Sequence, residues 1–293
     1  MKGIILAGGS GKRLRPASLA VIKQLMPVYD KPMIYYPLSV LMLTGIKEIL
    51  IISTPWEIDR FRQLFKDGRH LGLNISYEIQ KEPNGIAEAL IIGEKFIGND
   101  NIALILGDNI FYGYDIDSLL LEARESVDKK GGAYLLCYWV RDPTRYGIAK
   151  FDRNGNLTKI IEKPNNPPSN YAITGLYFYD NDAIKVAKGL KPSKRGELEI
   201  TDVNNWYIKK KRVGYRLLKG GFAWLDMGTF QSMLDAQNFI ETIEKRQGLK
   251  IGSIEEIAYR KGFINKRGLK YFIDLYEGSE YGEYLKRVLR DED

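Results

Sequence analysis

The chain has 293 residues, 44% hydrophobic and 28% charged, with a formal net charge of +7 at pH 7. That composition suits a globular fold, and no apolar run approaches the roughly 20 residues a membrane span needs. With one cysteine and one histidine, an internal disulfide, a structural zinc site and a nucleophilic triad are excluded by inventory.

The first element is an apolar strand over 2–7 that runs straight into Gly8-Gly9-Ser10-Gly11-Lys12-Arg13-Leu14-Arg15. A buried strand ending in a glycine-rich turn lets backbone amides approach an anion closely. Lys12, Arg13 and Arg15 in the same loop point to polyphosphate. The P-loop spacing is absent, because Leu6 stands where its first glycine should be and Arg13 replaces its Ser/Thr. The dinucleotide fingerprint fails at Leu14, in place of the third glycine. The initial apolar run is too short for a signal peptide, so a cytoplasmic location is expected.

Further strands are expected at 48–53, 74–80, 102–106 and 133–140, with helices at 36–45, 56–65, 86–96 and 117–128 between them. This alternation predicts an α/β fold: a Rossmann-like, mostly parallel mixed sheet flanked by helices, with ligands beyond the carboxyl ends of the strands. The next stretch is β-rich (148–151, 157–162, 172–179, 213–218), with Asn154-Gly155 as a hairpin turn. After Asp226 helices follow at 230–244, at 254–261 and near 280–289. We read one α/β domain over 1–228, with an inserted β-rich part at about 130–228, and a C-terminal helical extension over 229–293 for oligomer or regulatory contacts. The basic run Lys209-Lys210-Lys211-Arg212 ends a helix, where cations favour the dipole. Basic and aromatic residues are not interleaved, so no nucleic-acid partner is expected.

The glycine-rich loop with its sequel Lys23-Gln24-Leu25-Met26-Pro27-Val28 resembles the signature of the sugar-nucleotide pyrophosphorylases. Asp30-Lys31-Pro32-Met33-Ile34-Tyr35-Tyr36-Pro37-Leu38, Leu106-Gly107-Asp108-Asn109-Ile110-Phe111 and Glu162-Lys163-Pro164 follow in order. Gly196-Glu197-Leu198-Glu199-Ile200-Thr201-Asp202 and Trp224-Leu225-Asp226 complete the set, and the likeness runs from residue 1 to about residue 290. It implies the nucleotide-diphospho-sugar transferase type of fold, dTTP and glucose 1-phosphate as substrates, a dTDP-sugar product on the way to dTDP-rhamnose or related deoxysugars, and a homotetramer.

In this reaction a sugar-phosphate oxygen attacks the α-phosphorus of a nucleoside triphosphate and pyrophosphate leaves. About six negative charges converge, so the site must be cationic and in line. No side-chain nucleophile is needed. Arg13, Lys23 and Lys163 are the expected catalytic cations. Arg13 suits the β- and γ-phosphates through its planar fork. By resemblance Lys23 meets the nucleotide phosphates and Lys163 the sugar phosphate. Asp108 and Asp226 each end an apolar run, and two strand-end carboxylates with phosphate oxygens and waters make a typical Mg²⁺ site. The family match implies Mg²⁺ there.

The resemblance also implies nucleotide contacts from Gly8, Gly9, Ser10, Gly11, Lys12, Gln24, Gln80, Gly85 and Asp108. Gln80 can offer donor and acceptor to a pyrimidine edge. Thymine and uracil share that edge, so UTP stays open, as do other hexose 1-phosphates. Gly85 is expected to begin a helix with free amides. On the sugar-phosphate side, Asn109, Tyr146, Gly147, Glu162, Ile173 and Arg195 match. A regulatory site for downstream nucleotide sugar is implied at Tyr114, Lys219, Glu256, Ile257 and Arg260. There Tyr114 replaces a histidine, and Gly220 an arginine. Lys12 stands in place of a threonine, Arg15 of an aromatic, Ile22 of a small polar residue and Met227 of a threonine. None of these removes a charge that the chemistry requires.

Overall fold

Side chains alternate between the two faces of a strand, and the central strands of the computed structural model are apolar on both faces. Residues 1–9 and 11–290 are described; Ser10, assigned above to the phosphate loop, lies outside them. Ile5, Ile51 and Ile105 enter one apolar layer, and Ile4, Leu50 and Leu104 the other. Strands Lys2–Ala7, Glu48–Ser53, Asn74–Ile79 and Ile102–Leu106 are mutually parallel, with Ile102–Leu106 and Glu48–Ser53 flanking the first. Beyond Ile102–Leu106 the sheet turns antiparallel through Tyr171–Tyr179, where Leu176 lies opposite Ile105.

Tyr171–Tyr179 serves two groups of partners. On its outer edge it pairs with Ala133–Trp139, which in turn carries Val213–Leu218 in parallel. Its first half meets the hairpin Gly147–Phe151/Leu157–Glu162 through Ala172 opposite Ile148. A register shift between Ile173 and Tyr177 interrupts its pairing with Ala133–Trp139. The hairpin loop is held by the Asp152 carboxylate, which accepts from the backbone N–H groups of Asn154 and Asn156.

Helices Tyr35–Leu43, Ile58–Phe65 and Ile116–Lys130 bury Leu38, Phe61 and Leu120 in the first layer. The second layer receives Leu90, Ile184 and Val203 from Glu88–Ile92, Asp182–Lys188 and Ile200–Lys209. The helix expected over 86–96 is two short helices, Glu88–Ile92 and Glu94–Ile97. They meet at Gly93, where a Cβ would come within 2.9 Å of Ile4 Cδ1.

The C-terminal part is helical: Phe230–Gln247, Ile254–Arg260, Lys266–Leu275 and Glu280–Arg290. Thr229 and Ser232 form a capping box at its start. Lys266–Leu275 was not expected, although it buries Leu269, Phe272 and Ile273 at helical spacing. Ala258, Leu269, Phe272 and Leu285 enter the same apolar layer as Leu38 and Leu41. Among the described residues no helix is long and apolar enough to cross a membrane.

One further pairing positions the chemistry. Asn109–Gly113 and Phe222–Asp226 form an antiparallel ribbon with Asp226 directly opposite Asn109. The Met227 N–H then donates to the Asp108 carbonyl at 3.1 Å. Residues 118 positions apart in the chain, Asp108 and Asp226, are thereby brought to one spot.

Candidate active site

The glycine loop leaves the carboxyl end of Lys2–Ala7 and opens into a cavity of about 410 Å³ lined by Gly8, Gly9, Gly11, Lys12, Arg13 and Lys23. Lys12 and Arg13 sit in a short 3₁₀ turn, Lys12–Leu14, whose Leu14 side chain is buried and anchors it. Neither cation has an ion pair with a described residue. Gln24 closes the floor: its Nε2 donates to the Gly8 carbonyl at 3.2 Å, while its Oε1 is buried without a partner. Trp56, 88% exposed, stands at the rim with Glu57. Sequence reasoning did not single it out, and nothing in its local pattern marks it.

Gln80 follows the third parallel strand, and its Nε2 donates to Glu88 Oε2 at 2.7 Å and to the Gly85 carbonyl at 3.3 Å. Its acceptor Oε1 faces Gly8, where a Cβ would come within 2.9 Å of it. Gly85 does not begin a helix; the helix starts at Glu88. The Leu198 N–H donates to Asn84 O and the Ala87 N–H to Leu198 O, so this segment bridges to the 196–202 motif instead. With φ at +109° and Leu198 O only 2.4 Å from where a Cβ would be, position 85 requires glycine.

The two aspartates are held differently. Asp108 is paired with Lys23 through Oδ2 and accepts from Asn109 Nδ2 at 2.8 Å through Oδ1. Burial pushes its carboxyl up, but the Lys23 charge and these hydrogen bonds outweigh it and hold the group below the usual carboxylate range. Asp226 accepts from the Tyr146 hydroxyl at 2.6 Å and has Arg145 at 3.7 Å. Burial raises its carboxyl, the Tyr146 hydrogen bond works against that, and the charge of Asp108 raises it further. Among the described residues no group of three or more His, Cys, Asp or Glu side chains gathers as a metal cage.

A second cavity, of about 300 Å³, is lined by Asp108, Asn109, Tyr146, Glu162, Lys163 and Asp226, with Gly147 and Ile173 beside them. Arg13 lines both cavities. Asn109, 2% exposed, is committed to scaffolding, since its Oδ1 accepts from Trp224 Nε1 at 2.6 Å and from the Gly175 N–H at 3.1 Å. Lys163 has φ at +42°, a region that L side chains rarely adopt, and its N–H donates to Tyr146 O at 2.9 Å. Glu162 accepts from Thr201 Oγ1 at 2.6 Å and from Arg195 at 3.3 Å.

Arg195 also meets Glu197 and Glu199 and is not among the residues lining the cavity. Arg145, by contrast, does line it and was not singled out in the sequence. Its only local signal is its place beside Tyr146 and Gly147.

The residues assigned to regulation are partly gathered. Glu256, Ile257 and Arg260 line a separate cavity of about 310 Å³, with Glu256 and Arg260 paired at 2.8 Å. Tyr114, 91% exposed, and Lys219 do not line it. His70 lies far from this chemistry, half-buried against the Phe272 ring. Cys137 is buried in the sheet, and burial pushes its thiol up to about 12.

Residues 2–243 match the Nucleotidyl transferase family. The chain is 50% identical over 290 residues to the glucose-1-phosphate thymidylyltransferase of Neisseria meningitidis serogroup A, covering 99% of this chain and 100% of that one. A Bacillus anthracis protein assigned as a glucose-1-phosphate thymidylyltransferase and crystallised with sucrose superposes with a TM-score of 0.75 at 41% identity, covering 82% of this chain and 94% of that one. A UDP-glucose pyrophosphorylase complexed with UDP-glucose gives a TM-score of 0.72 at 26% identity, covering 83% of this chain and 98% of that one. Similarity of this extent makes the chain a nucleotidyltransferase, a member of the nucleotidyl transferase family in its glucose-1-phosphate thymidylyltransferase branch.

Proposed function

We propose that the chain transfers the thymidylyl group of dTTP to α-D-glucose 1-phosphate, giving dTDP-glucose and pyrophosphate with the help of Mg²⁺. The observation that carries this reading is the pair of cavities that share Arg13, with Asp108 and Asp226 lining the second and Asp108 paired to Lys23 of the first. The glycine loop with Lys12, Arg13 and Lys23 suits the triphosphate. The cavity with Lys163 and Glu162 suits a sugar phosphate, with Glu162 accepting from sugar hydroxyls. A sugar-phosphate oxygen forms the new bond to the α-phosphorus while the bridging bond to the β-phosphate breaks, and its electron pair leaves with pyrophosphate. Arg13 and Lys23 stabilise the charge that develops on the leaving group, and Lys163 fixes the incoming phosphate in line.

Two carboxylates, one ending the ribbon at Asp226 and one just before it at Asp108, all-oxygen and too few to form a complete cage, fit a cation that takes few protein ligands and keeps its waters. When bound, Mg²⁺ would neutralise phosphate charge and polarise the α-phosphoryl group. We place the product at the start of a route to dTDP-rhamnose or related deoxysugars.

The same chemistry with UTP is the second reading. In this reading Gln80 would meet the base edge that uracil and thymine share, which cannot separate them, and a UDP-glucose pyrophosphorylase shares the fold. Pyrophosphate release with glucose 1-phosphate, Mg²⁺ and each of dTTP, UTP, ATP, CTP and GTP tests both. Fastest release with dTTP, abolished by EDTA or by omitting the sugar phosphate, is expected. Fastest release with UTP would favour the second reading. Full activity in a metal-free preparation would remove Mg²⁺ from the account.

A further inference from the structure

The cations around the sugar-phosphate cavity are not equally committed. Arg195 is held by Glu162 at 3.3 Å, Glu197 at 3.0 Å and Glu199 at 3.4 Å. Three carboxylates leave it little reason to turn inward. Arg13, Arg145 and Lys163 are the cations that line the cavity. Of these, Arg145 forms one ion pair among the described residues, with Asp226 Oδ2 at 3.7 Å, too long for a direct hydrogen bond, and the Asp142 charge lies near it as well. Its guanidinium lies 5.7 Å from the Tyr146 ring centre, within reach of a cation–π attraction, and among the described residues no acceptor holds its five N–H donors.

The backbone beneath Arg145 is firm. Asp142 caps the turn Pro143–Arg145, accepting from the Thr144 N–H at 3.3 Å and its Oγ1 at 2.7 Å. The next residue, Tyr146, accepts the Lys163 N–H at 2.9 Å and donates its hydroxyl to the other oxygen of Asp226 at 2.6 Å. Arg145 and Lys163 therefore reach the cavity from two backbone segments bonded to each other. The arrangement mirrors the far side of the site, where Lys23 neutralises Asp108.

We propose that Arg145 is both the resident counter-ion of Asp226 in the free enzyme and a ligand of the hexose phosphate in the loaded one. It gives up Asp226 to the divalent cation and turns its planar fork to two phosphate oxygens, the geometry in which a guanidinium binds best. This rests on reading the cavity as the hexose 1-phosphate site. Arg145 thus competes with the metal when the site is empty and assists the substrate when it is full.

Two opposite effects of one substitution follow. In Arg145→Met, the KM for glucose 1-phosphate should rise about tenfold or more, the loss expected for one charge-assisted contact, while the KM for dTTP stays within about twofold. In the substrate-free protein the same variant should bind Mn²⁺ more tightly than wild type, read by electron paramagnetic resonance, because a competing cation is gone. Arg145→Lys should bind Mn²⁺ like wild type and recover part of the glucose 1-phosphate KM. Should Arg145→Met fail to fold, Arg145→Gln decides on the same two readouts. An unchanged KM for glucose 1-phosphate, an equal rise in both KM values, or unchanged or weaker Mn²⁺ binding would overturn the proposal. Wild-type enzyme inactive with glucose 1-phosphate would instead defeat the reading of the cavity itself.

Discussion

The cleft around Arg13 and the knot around Lys31 are both dense in charge, yet they treat their cations in opposite ways. Lys31, whose side chain is 1% exposed, is paired with Asp30 and with Glu244 at 3.0 Å, and Lys250 meets the same two acids. Glu244 Oε1 also accepts the Ile251 N–H at 2.8 Å, and the Tyr36 ring lies 5.1 Å from Lys31 Nζ. Nearby, buried Glu255 accepts from Tyr276 at 2.9 Å and from Tyr281 at 2.7 Å. Every charge there has a protein partner, as burial demands. In the cleft Lys12 and Arg13 have no ion pair among the described residues, and Arg145 and Lys163 have only distant ones, at 3.7 Å and 3.8 Å. The knot joins the Asp30–Leu38 motif to the C-terminal helices; the cleft leaves charge for a ligand to complete.

Substitutions should separate the two regions cleanly. The largest effect is expected for Asp108→Asn, which removes a strand-end carboxylate and the partner of Lys23. Turnover should fall by roughly 10²-fold or more with the protein still folded, on the scale of losing one transition-state stabiliser. Turnover near that of wild type would break the comparison at its functional end. Lys31→Met should do the reverse. Removing one partner of a buried charge cluster costs about 3–5 kcal/mol, and because Lys250 stays with both acids the lower end is expected. Urea denaturation would measure the loss, and both KM values should stay unchanged in the folded fraction. A shifted KM would mean that the knot reaches into catalysis.

The smallest effect sharpens the same point. Burial raises the Glu255 carboxyl, with the Tyr281 and Tyr276 hydrogen bonds and the Lys31 charge opposing it. A carboxyl raised by folding favours the folded state below its unfolded value, and that contribution is lost as pH rises through the folded value. Wild type should therefore gain melting temperature relative to Glu255→Gln as pH is lowered from about 7 to about 5. A constant difference across that range would show that Glu255 does not change its protonation there.

What could be read from the chain divides along physical lines. Strands 2–7, 48–53 and 102–106 were legible because both their faces are buried and their sequences are continuously apolar. The glycine loop and both aspartates were legible because each follows such a run. The ribbon that sets Asp226 opposite Asn109 was not, since pairing between distant segments leaves no local mark. Gly85 was misread as a helix start because its real partner, Leu198, lies 113 residues away and only the fold brings it near. Lys266–Leu275 was missed although Leu269, Phe272 and Ile273 carry a helical pattern, with Gly268 in its first turn weakening the signal. Arg195 and Arg145 show the same limit at one charge: which guanidinium faces the cavity depends on three glutamates around one and a tyrosine ring beneath the other.

Steady-state kinetics of Arg13→Ala with both substrates varied bears most directly on the account, because Arg13 lines both cavities and has no ion-pair partner among the described residues. The expected result is a folded protein whose kcat/KM falls about 10²-fold or more for dTTP and for glucose 1-phosphate alike. Near wild-type values, or a loss confined to one substrate, would contradict a single reaction centre spanning the two cavities.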